Sequence, residues 1–132
     1  MSHEIETARI YDEPGDGPGR DAATFRVLVD RLWPRGVSRE RAAIDLWSKE
    51  ATPSTALRKA WHADPRGHEP EHFEAFKAAY REELAQEPAR TALAELAQAV
   101  AGKPRVLLLT AAKDPELSHV PVIREALEQA LG

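Results

Sequence analysis

A chain of 132 residues, 42% hydrophobic and 30% charged, is one domain large enough to bury a proper core. Its net charge of −4 argues against an extended nucleic-acid surface and leaves room for a local basic pocket. Having no cysteine excludes disulfides, thiolate metal sites and thiol nucleophiles, and the lack of any long apolar run points to a soluble cytoplasmic protein.

Residues 1–7 are polar and expected to fray. Ala8-Arg9-Ile10-Tyr11 suggests a first strand. Residues 12–23 read DEPGDGPGRDAA, too rich in Gly, Pro and Asp for regular structure. Gly15, Gly17 and Gly19 do not make a phosphate loop, because the required spacing, preceding strand and following helix are not all present. A mobile loop is expected, with a lid over the neighbouring strand end as its functional option.

Phe25 to Val29 is a run of strand formers. Val27 and Val29 point to one face and Leu28 to the other, and only Arg26 interrupts the apolar character, as in an inner parallel strand. Asp30, Arg31 and Arg35 follow at once, with Trp33, Pro34 and Gly36 between them. Trp33 precedes Pro34 and is biased to extended backbone, while Gly36 permits a sharp turn.

Ser38 can cap a short helix over 39–43, and Ile44 to Trp47 alternates as a short strand, with Asp45 and Trp47 on its less buried face. Ser54 can cap a helix over 55–62 whose inner stripe is Leu57 and Trp61. Pro70 suits the first turn of the next helix, where Phe73, Phe76, Tyr80 and Leu84 form an apolar stripe. Pro88 separates it from another helix with Ala89, Leu93, Leu96 and Val100 inward, stopped at Gly102. Val106 to Thr110 is apolar throughout until its last residue and reads as a central strand. Lys113 and Asp114 follow, and Ser118 can cap a final helix with Val120, Ile123, Leu127 and Leu131 inward.

This order predicts a small single-domain α/β fold with a short, mainly parallel sheet and helices on both faces. Ligands in such sheets sit beyond the carboxyl ends of the strands. If Phe25–Val29 and Val106–Thr110 are parallel neighbours, Asp30, Arg31 and Arg35 face Lys113, Asp114 and His119. Arg31, Arg35 and Lys113 would hold an anion, with Trp33 against a planar ligand, and the start of the last helix would add backbone N–H groups. Asp30, Asp114 and His119 would do acid–base chemistry. The alternative is an Asp–Arg lattice that braces the loop, with the tryptophans in the core. His62, His68 and His72 have ligand-like spacing but no carboxylate frame, so loop histidines are expected and neither metal nor cofactor is assigned.

The strings DRLWPRGVSRERAAIDLW, Thr52-Pro53-Ser54 and LLLTAAKDPELSHVPVIREAL resemble the YeaO-like branch of the DUF488 family, from about Ala8 to Leu131. Other DUF488 members carry a pattern like C-A-E-K-D followed by C-H-R at the last strand and helix. Here Thr110 and Ala112 replace the first Cys and the Glu, and Ser118-His119-Val120 replaces C-H-R. Lys113, Asp114 and His119 persist. A thiol-based role therefore does not carry over to this chain. The loop at 12–23 is also longer than the branch usually shows.

The residues lead to an enzyme, a hydrolase or transferase without metal or thiol chemistry, acting on a small anionic, nucleotide- or nucleoside-like substrate. The rival is a non-catalytic module that senses such a ligand or docks to a protein, and homodimerisation is compatible with either. Catalysis needs a reachable carboxylate that is not wholly engaged in ion pairs, whereas a sensor needs only the cations.

Overall fold

A computed structural model describes residues 4–15 and 23–132. In chain order the elements are β1 (Glu4–Arg9), β2 (Thr24–Leu28), α1 (Arg39–Ala42), β3 (Leu46–Trp47), α2 (Thr55–Ala63), α3 (Pro70–Leu84), α4 (Ala89–Val100), β4 (Arg105–Thr110) and α5 (Val120–Leu131). Single 3-10 turns at Lys49–Ala51 and Pro115–Leu117 precede α2 and α5. The strands form one sheet in the order β1-β4-β2-β3, and every pairing is parallel.

The apolar pattern of β4 explains its place. Val106 and Leu108 point into the main core with Val27 and Val29, while Leu109 points to the opposite face. A strand apolar on both faces is stable only when both are covered. Tyr80 and Leu84 of α3, Leu96 and Val100 of α4, and Ile123 and Leu127 of α5 close the first face. Burying each large apolar side chain there stabilises the fold by roughly 1.5–3 kcal/mol.

The second face differs from the expected helical layer. Ala42 of the four-residue α1 packs there with Ile10 and Leu109, and loop residues Trp33, Val37 and Ile44 complete the cover. Arg26 is buried on this side, 5% exposed, and Nε donates to the Ala42 carbonyl. Its guanidinium also bonds the Glu13 carbonyl. The charge that interrupts β2 in sequence thus serves the loops that stand in for a helix. Gly15 has to be glycine here, since a Cβ would come 2.6 Å from Arg26 Nε.

Two local expectations change. The first strand begins at Glu4, not Ala8, because it pairs with β4 along its whole length, from Glu4 opposite Arg105 to Arg9 opposite Thr110. Arg105 reinforces that register through ion pairs with Glu4 and Glu6. Ser118 is not the cap of α5: His119 is, while the Ser118 hydroxyl accepts from Val120 N and donates to the Pro115 carbonyl. The glycine-rich segment 16–22, with the lid suggested for it, lies outside the described residues. Gly36 does adopt φ +76°, the left-handed turn its position invites.

Candidate functional site

β2 and β4 run side by side, with Leu28 opposite Leu109. The pairing extends one residue further, as Val29 N donates to the Leu109 carbonyl, so Asp30 leaves the sheet beside Thr110. One Asp30 oxygen accepts from Thr110 Oγ1 and the other from Ala111 N, both at 2.7 Å. His119 Nε2 lies 3.4 Å from the first of these oxygens and hydrogen-bonds the Val29 carbonyl. A carbonyl only accepts, so Nε2 carries the proton. The rings of His119 and the wholly buried Tyr80 make an edge contact, and the Tyr80 hydroxyl donates to the Ala51 carbonyl at 2.6 Å. Burial pushes the Tyr80 phenol well above its ordinary value, so it stays neutral.

The arginines divide into two roles. Arg31 donates through Nε to the Pro53 carbonyl at 2.9 Å and through a terminal nitrogen to the Thr52 carbonyl at 3.1 Å. It braces the turn that leads into α2. Arg35 is exposed; its carbonyl accepts from the Tyr11 hydroxyl, and its guanidinium has no hydrogen bond or ion pair among the described residues. Trp33 is held by Nε1 donating to the Val37 carbonyl, by an edge contact with Trp47 and by the Arg39 guanidinium over its ring at 4.1 Å.

A cavity of about 330 Å³ opens at this end of the sheet, and Asp30, Arg31, Trp33, Arg35 and His119 all line it. Lys113 and Asp114 are exposed and do not line it. Asp114 accepts from Glu116 N and so caps the turn at Pro115–Leu117. The persistence of these two residues in the motif therefore does not translate into a place in this cavity.

The sequence reading missed the wall supplied by α2. Arg58, Trp61 and His62 line the cavity, at helical spacings of three and four that put them on one face. Ser54 sets the start of that helix, its hydroxyl accepting from Leu57 N and donating to Glu83. Trp61 is locked by a stack on Phe76, 4.1 Å between centroids, and by Nε1 donating to the Gly67 carbonyl. Arg58 Nε is buried and has no hydrogen-bond partner among the described residues. His62 lies in α2, within the helix expected over 55–62, and lines the cavity. Partial burial and then the charges of Arg58, His119 and His68 hold its pKa below the ordinary value. The signal was present in the sequence: Trp61 and His62 follow Arg58 at i,i+3 and i,i+4 spacing.

Among the described residues, no group of three His, Asp or Glu side chains is arranged to hold a metal ion. None of the described helices is long and apolar enough to cross a membrane.

The chain belongs to the DUF488 family: the family model described as "Inactive DUF488-N3 subclade" matches residues 4–132. It is 39% identical to the uncharacterised protein YeaO of Escherichia coli (strain K12) over 124 residues, 93% of this chain and 96% of YeaO. It is also 35% identical over 125 residues to an uncharacterised protein of Mycobacterium tuberculosis (strain H37Rv), covering 93% and 92% of the two chains. No solved structure matches the chain.

Proposed function

We propose that this protein is a non-catalytic binding module for a small anion, held in the cavity at the carboxyl end of the sheet. The observation that carries this reading is Arg58: it lines the cavity, its Nε is buried without a partner, and no carboxylate pairs with it among the described residues. Arg35 at the same cavity is likewise unpaired among the described residues, and His62 and His119 line it as well. Among the described residues, Asp30 is the one carboxylate lining the cavity. An anion would supply the missing counter-charge through charge-assisted hydrogen bonds.

The enzymatic reading keeps Asp30 and His119 as an acid–base pair for a nucleotide-like substrate. Geometry favours binding over it. Both Asp30 oxygens already accept short hydrogen bonds, and the His119 proton goes to a backbone carbonyl. Asp114 lies outside the cavity. The family description "Inactive" agrees with the binding reading.

Thermal-shift titration with sulfate and phosphate tests the reading. Both should raise the melting temperature of the wild type, and Arg58→Gln should remove most of that protection. Equal protection of wild type and variant would overturn it.

A further inference from the structure

Three large hydrophobic side chains are exposed among the described residues: Tyr11 at 44%, Leu32 at 58% and Leu117 at 40%. The first two line the cavity that holds Arg58 and His62, and Leu117 does not. Leu32 belongs to neither apolar cluster of the fold, so core packing gives no reason for it. Trp61 adds an aromatic wall that is already fixed by its stack on Phe76 and its bond to Gly67. A bare inorganic ion would use only the cations and leave this apolar rim in water. The volume, about 330 Å³, is at the lower end of that of small-molecule pockets and exceeds what one tetrahedral oxyanion fills.

We infer that the ligand is an organic anion with a flat apolar body: a phosphate or carboxylate group directed to Arg58 and His62, and an aromatic ring laid against Leu32 and Trp61. The inference rests on the anion-binding reading above and narrows it. The fixed aromatic wall favours a rigid planar body, because little side-chain freedom is lost on binding.

Three probes of related charge separate the two claims: inorganic phosphate, glycerol phosphate and phenyl phosphate, each titrated by calorimetry into wild type, Leu32→Ser and Arg58→Gln. Phenyl phosphate should bind the wild type at least about tenfold more tightly than glycerol phosphate, the value of one or two buried apolar groups. Leu32→Ser, at an exposed position that leaves folding intact, should remove most of that advantage and leave inorganic phosphate unchanged. Arg58→Gln should weaken all three probes. Equal affinities across the probes, with Arg58→Gln still weakening them, would overturn the organic ligand and keep the anion site. A phenyl phosphate advantage that survives in Leu32→Ser would likewise overturn the proposed placement of the ring. Failure of every probe to bind, or binding indifferent to Arg58, would overturn the anion site itself.

Discussion

The His119 imidazole stands 3.4 Å from the Asp30 carboxylate, yet its Nε2 proton is directed to the Val29 carbonyl. The pair ties the start of α5 to the ends of β2 and β4, since Asp30 also takes Thr110 Oγ1 and Ala111 N. Such a dyad looks catalytic when only its residue types are considered. Its hydrogen bonds also give it the geometry of a clasp.

The clasp predicts a stability cost for Asp30→Asn. The amide keeps one acceptor and turns a donor toward either Thr110 or Ala111, and the side chain is only 14% exposed. A loss of about 1–3 kcal/mol is expected, the cost of leaving a buried donor unsatisfied. Urea unfolding of the variant would measure it. An unchanged midpoint would return Asp30 to the list of free carboxylates.

Arg31 and Arg35 should separate cleanly. Arg31 bonds two backbone carbonyls through its planar fork, a geometry Lys cannot reproduce. Arg31→Lys should cost about 1–2 kcal/mol in unfolding free energy. Arg35→Lys should change stability by less than about 0.5 kcal/mol, as at an ordinary exposed position. The reverse order of effects in melting experiments would exchange brace and free cation.

Anion binding should tighten as the pH falls. Partial burial and the charges of Arg58, His119 and His68 keep the His62 pKa low. A bound anion raises that pKa, so the complex holds more protons than the free protein and protonation favours binding. Sulfate is the suitable probe because it keeps both charges between about pH 8 and about pH 5.5, so the protein alone supplies the pH dependence. Affinity should rise across that interval in the wild type and rise less in His62→Gln. Identical profiles for the two proteins would remove His62 from the site.

Tyr80→Phe should destabilise the fold by about 0.5–1.5 kcal/mol, since the hydroxyl is buried and bonds the Ala51 carbonyl. Anion binding should be unaffected in the folded fraction. A loss of binding without a loss of stability would make Tyr80 part of the site, not its support.

Much of the frame was legible in the sequence because it rests on local patterning. The uninterrupted apolar run at Val106–Leu109 required a strand covered on both faces, and the stripe Phe73, Phe76, Tyr80, Leu84 required an amphipathic helix. The strands Phe25–Val29 and Val106–Thr110 are parallel neighbours, as expected, which brings Asp30 beside Thr110 and His119, while Lys113 and Asp114 stay outside the cavity. The division of labour within the site was not legible. Asp30, Arg31 and Arg35 sit within six positions of one another, and nothing local says which carbonyls lie opposite. The Thr52 and Pro53 carbonyls that engage Arg31 come from the far side of β3, and the Thr110 hydroxyl that engages Asp30 is 80 residues away. Arg58 and His62 entered only when α2 packed over the sheet end. Sequence determined the strands, the helices and the end of the sheet where charge gathers, because these follow from periodicity and burial. Tertiary structure decided which charges are satisfied and which are left facing the cavity, because that depends on backbone groups brought together across the whole fold.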